Sequence, residues 1–137
     1  MSTAIKFRNN IYLDTSGITH NNKVLKDLLT PIEINTGYIT PNSGTKNIGN
    51  VSQYERLLVV LGANGSYTTV EVPKSYYGSN IGANWQAVDN RIATYYCTFK
   101  IEANGNTTII YSGYSFNTTN SDYPREYGIT KIYGYKY

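Results

Sequence analysis

The stretch Arg91-Ile-Ala-Thr-Tyr-Tyr-Cys-Thr-Phe-Lys-Ile-Glu102 decides the fold class of this chain. Its odd positions are apolar and most of its even positions are polar. A period of two is typical of a β-strand with one dry face and one wet face. The odd positions are Ala93, Tyr95, Cys97, Phe99 and Ile101, and the polar even positions are Thr94, Thr98, Lys100 and Glu102. The stretch therefore predicts a strand that buries its odd side chains.

Asn104-Gly105 follows this strand and predicts a tight hairpin turn. Both residues tolerate a positive φ, which a two-residue type I′ turn requires. The pairs that such a turn sets opposite each other are Phe99 with Ile110, Ile101 with Thr108, and Tyr95 with Tyr114. Ile110 and Tyr114 then join the dry face. A bulge at the turn would shift this register by one residue and place Ile109 and Tyr111 inside instead.

Length and composition restrict the class of protein. A chain of 137 residues suits one domain and a short extra segment, and 40% hydrophobic residues, with 15 Tyr, suffice for a sheet-based core. The net charge is only +3 and the basic residues form no run, so we expect no nucleic-acid partner. No apolar run suits a signal peptide or a membrane span, so we expect cytoplasmic synthesis without membrane insertion.

The first 30 residues predict a separate attachment or oligomerisation segment. Ala4 to Leu13 alternates around Asn9-Asn10 and predicts a small hairpin, followed by a second turn at Asp14 to Gly17. Lys23 to Leu29 has helical spacing and is followed by Pro31. The apolar residues of this predicted helix are Val24, Leu25, Leu28 and Leu29. A helix of this length is not stable alone, so these side chains must pack either against the β domain or against copies of themselves in neighbouring chains. We favour the contact between subunits.

Residues 31–137 predict an antiparallel β domain. The strand predictions are Ile32 to Thr40, Arg56 to Leu61 with its return strand ending at Pro73, and Gly128 to Tyr135. A turn at Asn64-Gly65 sets Val59 opposite Val70 and Leu57 opposite Val72. We expect loops at Lys74 to Asn90 and Phe116 to Tyr127. The prediction is an all-β sandwich or jelly roll with a short N-terminal hairpin and helix.

The sequence offers little for catalysis or metal binding. His20 is the only histidine, and Cys97, the only cysteine, falls on the dry face of its strand, where a buried and inert thiol is expected. No metal-ligand cluster, cofactor motif or nucleophile elbow is present, so we expect no catalytic residues, no metal and no cofactor. Asp122 could meet Asp89 or Glu126 in the loops, and a glycan hydrolase with such a carboxylate pair stays an alternative.

The remaining signal is aromatic and amide-rich sequence in the predicted loops. Aromatic rings stack on the apolar faces of sugars, and amides, carboxylates and guanidinium groups hydrogen-bond their hydroxyls. The candidate saccharide-binding residues are Tyr76, Tyr77, Trp85, Asp89, Asn117, Asp122, Tyr123, Arg125 and Tyr127. A position in the core is the competing interpretation for Trp85 and for several of these tyrosines.

Several short stretches resemble minor structural and tail-fibre proteins of phages and prophages of low-GC Gram-positive bacteria. The stretches are Ile5 to Ile18, His20-Asn21, Leu25 to Leu29, Tyr54 to Leu61, Val70 to Ser75 and Ile129 to Gly134. Where that family has Trp-Xaa-Gly near the start of its β domain, this chain has Thr36-Gly37-Tyr38. The resemblance covers most of the chain in short pieces.

The resemblance implies a non-enzymatic receptor-binding protein of the virion tail. Such a protein is β-rich, often forms a homotrimer, joins other tail proteins and recognises a host cell-wall or surface saccharide. A baseplate or tail-fibre component that only joins subunits is the main alternative. It predicts no affinity for host cell walls.

Overall fold

The computed structural model describes residues 5–6, 11–14, 17–20, 23–24, 30–34, 37–63, 65–88, 92–116, 122–124 and 128–137. The strands are β1 (Ile5–Lys6), β2 (Ile11–Asp14), β3 (Gly17–His20), β4 (Lys23–Val24), β5 (Ile32–Ile34), β6 (Lys46–Asn47), β7 (Arg56–Ala63), β8 (Ser66–Pro73), β9 (Ile81–Val88), β10 (Ile92–Ile101), β11 (Asn106–Phe116), β12 (Asp122–Pro124) and β13 (Gly128–Tyr135). Two short 3₁₀ turns, Pro41–Ser43 and Lys74–Tyr76, are the helical elements of these residues.

Within the described part of the chain, the first four strands form a sheet of their own, in the order β1-β2-β3-β4. Ile5 lies opposite Leu13, which confirms the predicted N-terminal hairpin, and Asp14 lies opposite Gly17 across the second turn.

The helix predicted from Lys23 to Leu29 is wrong at its start. Lys23 and Val24 form a strand, with Val24 opposite Thr19. Pairing in a sheet satisfies backbone groups at once, whereas a helix of this length must first form an unfavourable nucleus. Leu25, Leu28 and Leu29 lie outside the described residues. The homotrimer expected from this helix stays a prediction.

The remaining strands form two antiparallel sheets that face each other. One has the order β5-β13-β7-β8, and the other has the order β12-β11-β10-β9, with β6 also paired to β11. Their inner side chains share one hydrophobic core. The fully buried members include Leu57, Val59, Leu61, Ile129 and Ile132 from the first sheet and Cys97, Phe99 and Ile101 from the second. The predicted all-β sandwich is confirmed.

The β7–β8 hairpin has the register that the sequence predicts. Val59 lies opposite Val70 and Leu57 opposite Val72, and β8 ends at Pro73. β7 lies between β13 and β8, with Leu57 and Val59 fully buried. On its other face Leu58 is half-buried, so β7 is covered completely on one side only.

The turn between β10 and β11 differs from the predicted two-residue turn. Glu102 N donates to Asn106 O at 2.8 Å, and Gly105 N donates to Glu102 O at 2.8 Å. The loop is therefore Ala103-Asn104-Gly105, with Gly105 at φ 93°. This is the three-residue hairpin with a glycine bulge, in which only one residue needs a positive φ. Ile101 consequently lies opposite Thr107, and its predicted pairing with Thr108 is wrong.

A second bulge lies farther along the same hairpin. Phe99 pairs with Ile109, but Thr98 pairs with Tyr111, so Ile110 is the extra residue. Each bulge shifts the register by one residue, and the second restores the predicted opposition of Tyr95 and Tyr114. The predicted burial of Ile110 is wrong. Its side chain is 47% exposed, whereas that of Ile109 is 5% exposed.

Two segments expected as loops contain regular strands. β9 occupies the centre of the Lys74 to Asn90 stretch, and β12 lies within the stretch from Phe116 to Tyr127. The apolar alternation of β9 is weak, because the inward Ala83 is small and Gly82 fills an outward position without a polar side chain. In contrast, the first predicted strand is shorter than expected. It comprises Ile32–Ile34 and a single bridge from Ile39 to Ile129.

Candidate functional site

The outer face of the β9–β10–β11 sheet carries two stacked tyrosines. The rings of Tyr96 and Tyr111 lie 5.0 Å apart with an interplanar angle of 18°, and their hydroxyl oxygens are 3.2 Å apart. Tyr96 is half-buried and Tyr111 is 48% exposed. We call Tyr96 and Tyr111 the tyrosine pair. It presents aromatic surface and two hydroxyl groups on a rigid sheet.

The second bulge of the hairpin creates the tyrosine pair. Without the extra residue Ile110, the register near the turn would continue and place Tyr111 opposite Cys97, on the buried face. The bulge places Tyr111 opposite Thr98, on the outer face, diagonally across from Tyr96. A bulge that re-aims one side chain is a common feature of functional sites.

Polar, uncharged side chains lie beside the tyrosine pair on β9, while the exposed Ile110 precedes Tyr111 on β11. Asn84 lies opposite Tyr96 and Gln86 lies opposite Thr94, and both amides are exposed. Gly82 lies opposite Thr98 and leaves that part of the surface without a side chain. The face therefore combines aromatic carbon with amide and hydroxyl hydrogen-bonding groups.

Among the described residues of this face, charged residues lie at its two ends, with Lys100 and Glu102 toward the turn and Asp122 opposite Ser115 at the other end. Lys100 Nζ lies 3.1 Å from Glu102 Oε1, so the two charges are paired. A nucleic-acid interface needs a basic surface to neutralise phosphates. The described residues around the tyrosine pair provide no such basic surface.

A second aromatic cluster lies on the other sheet and has a structural role. The Arg56 guanidinium lies 4.3 Å from the ring centroid of Tyr135 and 4.8 Å from that of Tyr137. Its Nε donates to Tyr137 O at 3.2 Å, and its Nη1 lies 3.2 Å from Glu71 Oε2. Arg56 therefore contacts both Tyr135 and Tyr137 and holds these two side chains in place on the sheet.

The candidates Tyr76, Tyr77 and Trp85 lie in different environments. Tyr76 is 55% exposed, whereas the half-buried Tyr77 donates its hydroxyl to Tyr54 O at 3.0 Å. Burial, and then the negative charge of Glu55 and the nearby Tyr54, raises the pKa of Tyr77 to about 12. Both tyrosines lie near the β10–β11 turn, since Gly78 N donates to Ile101 O.

Trp85 lies in the core. It is 8% exposed and stacks on Tyr95 at 5.7 Å, and Tyr95 lies 5.9 Å from Tyr114. Its Nε1 is buried without a hydrogen-bond partner among the described residues. The structure therefore supports the core interpretation of Trp85, and it does not join Trp85 with Tyr76 and Tyr77 in one site.

The other candidates lie at or beyond the described strand ends. Asp122 and Tyr123 belong to β12, opposite Ser115 and Tyr114. Asp89, Asn117, Arg125 and Tyr127 lie outside the described residues. The β9–β10 and β11–β12 connections leave the sheet at the same end, because Val88 pairs with Ile92, and Ala93 with Phe116.

The sequence prediction missed both members of the tyrosine pair. Tyr96 could have been found, because it is the one aromatic residue at an even position of β10. Tyr111 could not, because its face depends on a bulge that alternation does not reveal.

Cys97 matches its prediction as a buried thiol. It is 1% exposed, and burial raises its pKa to about 12. The thiolate that a nucleophile requires is therefore suppressed at neutral pH. Among the described residues, no group of three or more His, Cys, Asp or Glu could hold a metal ion. Within the same residues, no helix is long and apolar enough to cross a membrane.

Comparisons with protein-family models, with curated proteins and with solved structures found no match to this chain.

Proposed function

We propose that this protein is a phage tail adhesin that binds a host cell-surface saccharide without catalysis. The observation that carries the proposal is the tyrosine pair with the exposed amides of Asn84 and Gln86 beside it. The resemblance to tail-fibre and receptor-binding proteins supports the same class. Its place would be the virion tail, joined to other tail proteins.

The chemistry of the surface suits a sugar. A pyranose presents C–H groups on one face and hydroxyls at its rim, and it matches an aromatic ring bordered by amides. The rigid sheet holds the rings before binding, so little rotamer entropy is lost on binding. Aromatic contacts contribute about 1 kcal/mol each, so a site with two rings and a few amide hydrogen bonds should bind weakly. A net binding free energy of about 4–5.5 kcal/mol corresponds to a Kd on the order of 0.1–1 mM. Several copies of the site in one particle would raise the overall affinity for a polymeric ligand.

The test is adsorption of the purified protein to cell-wall fragments of low-GC Gram-positive bacteria, measured as a saturable isotherm. Tyr111→Ala should weaken binding about tenfold, the equivalent of roughly 1.4 kcal/mol. Asn84→Ala should weaken it about threefold, because one amide contact is lost. Tyr38→Ala is the matched control, since Tyr38 is 49% exposed, close to the value for Tyr111, and its neighbour Ile39 bridges to β13 of the opposite sheet. Equal affinity of Tyr111→Ala and wild type, with both folded, would refute this location.

Tyr76→Ala distinguishes the two exposed aromatic surfaces. Tyr76 lies near the β10–β11 turn and not beside the tyrosine pair, so the variant should bind like wild type. Loss of binding in Tyr76→Ala alone would move the site to the turn.

A purely structural tail component is the second candidate. The edge position of β8 in the described part of the chain favours it, because an edge strand offers backbone groups to another subunit. This candidate predicts no saturable adsorption to any cell wall. Release of new reducing ends from cell walls would instead support the hydrolase alternative.

A further inference from the structure

Among the residues that the structure describes, β8 is an edge strand of its sheet and pairs with β7 alone. It is the last strand in the order β5-β13-β7-β8, and it has eight residues, whereas β5 at the opposite edge has three. Beyond the strand, Lys74 N donates to Glu55 O at 2.9 Å, which continues the β7–β8 register. In an antiparallel ladder alternate residues bond the same neighbour, so the even positions of β8 bond β7. Tyr67, Thr69 and Glu71 therefore direct their N–H and C=O groups away from the sheet.

This edge has few of the features that prevent edge-to-edge association. The strand contains no lysine and no bulge, and its one proline is the last residue, Pro73. Its residues Ser66 to Val72 are rich in β-branched and aromatic types and include one charge, Glu71. The other eight-residue edge strand, β9, has Gly82 in its interior, which weakens strand pairing.

We infer that β8 pairs antiparallel with β8 of a second copy of this chain, about a two-fold axis at Thr69. In this register Thr69 lies opposite Thr69 of the second copy, and Tyr67 lies opposite Glu71 of the second copy. All three outward residues then exchange backbone hydrogen bonds, about six in total. A register centred on Val70 sets Tyr67 opposite Pro73, which has no N–H to donate, and one centred on Thr68 sets Glu71 opposite Gly65, which lies outside β8. The interface is isologous and creates one continuous eight-stranded sheet.

The charges also fit this register. Each Glu71 faces a tyrosine, and the two Glu71 side chains are separated by four residue steps, roughly 13 Å. Arg56 lies 3.2 Å from Glu71 on the same chain and offsets its charge. A register centred on Glu71 would set the two carboxylates directly opposite each other, which is unfavourable.

The pairing places two tyrosine pairs in one particle, on the sheet that does not form the interface. Two sites held in fixed relation bind a polymeric ligand more tightly than one site. The dimer itself depends only on β8 and does not require that the tyrosine pair binds saccharide.

Charged substitutions of Thr69, which lies on the two-fold axis, test the register. Sedimentation equilibrium of the full chain at about 10–200 µM should show a dimer for wild type. Thr69→Lys sets two lysines opposite each other, and Thr69→Glu sets two glutamates opposite each other, so each variant alone should be monomeric. A 1:1 mixture of the two should recover the dimer, because lysine then faces glutamate. Ser75→Lys, an exposed residue just beyond β8, adds the same charge outside the interface and should remain dimeric.

Four results would overturn the inference: a monomeric or trimeric wild type, dimers of Thr69→Lys or Thr69→Glu alone, a monomeric Ser75→Lys, or a mixture that stays monomeric. Far-ultraviolet circular dichroism confirms that each variant is folded. The readout is particle mass, and adsorption to cell walls is measured separately. A monomeric wild type would therefore refute the dimer without refuting the saccharide proposal. A lack of adsorption to cell walls would refute the saccharide proposal without refuting the dimer.

Discussion

The backbone contact between Gly105 and Gly49 gives the sharpest prediction of stability. Gly105 has φ 93°, and a Cβ at this position would lie 2.6 Å from the carbonyl carbon of Gly49. Because the obstacle is backbone, Gly105→Ala must displace the segment that precedes Val51. That segment covers the turn through two hydrogen bonds of 3.0 Å, Ile48 N to Gly105 O and Val51 N to Ala103 O.

Gly65→Ala is the matched control, because Gly65 also lies in a hairpin turn and has φ 76°. A Cβ there would have no neighbour within 4 Å. The left-handed conformation costs a non-glycine residue about 1 kcal/mol in both variants. In Gly105→Ala, two hydrogen bonds of about 1 kcal/mol each are also lost. Partial exposure of Val51, now 1% exposed, adds about 1 kcal/mol.

We therefore expect Gly65→Ala to lower the free energy of unfolding by about 1 kcal/mol and Gly105→Ala by about 3–5 kcal/mol. Equilibrium urea denaturation measures both values, with the fluorescence of the single buried tryptophan, Trp85, as the signal. Equal losses in the two variants would show that the contact with Gly49 contributes nothing and would refute the reasoning.

Three further predictions test the core and the bulge. Burial raises the pKa of Cys97 to about 12, so above pH 9 the unfolded chain loses a proton that the folded protein keeps. Between pH 9 and about 12, the ionisation of Cys97 in the unfolded chain should lower the free energy of unfolding by about 1.4 kcal/mol per pH unit. Urea denaturation across this range should therefore show a flatter pH dependence for Cys97→Ala than for wild type. In urea denaturation, Ile109→Thr should lower the free energy of unfolding by about 2–4 kcal/mol, whereas Ile110→Thr should lower it by less than about 0.5 kcal/mol. Equal decreases in the two variants would contradict the position of the bulge. Trp85→Phe keeps an aromatic ring and removes a buried N–H that has no partner among the described residues. It should therefore lower the free energy of unfolding by at least about 2 kcal/mol less than Trp85→Ala does, and thermal unfolding of the two variants measures the difference.

The sequence by itself determined the strands whose pattern is local. Alternation fixed the buried face of β10, Asn64-Gly65 fixed the β7–β8 register, and Pro73 fixed the end of β8. These features depend on side-chain type and on turn chemistry over a few residues, and both can be read from neighbouring positions. The fold class followed from them, because several such strands can bury their dry faces only against one another.

Only the tertiary structure decided the features that require two distant segments at once. Strand formation at Lys23–Val24 depends on the partner strand β3, which outweighs a short helical pattern. The three-residue turn depends on Gly105, which lies close against Gly49, and the outward position of Tyr111 depends on the extra residue Ile110. A bulge changes the face of every following side chain while leaving composition and spacing unchanged, so the tyrosine pair exists only once the strands have paired.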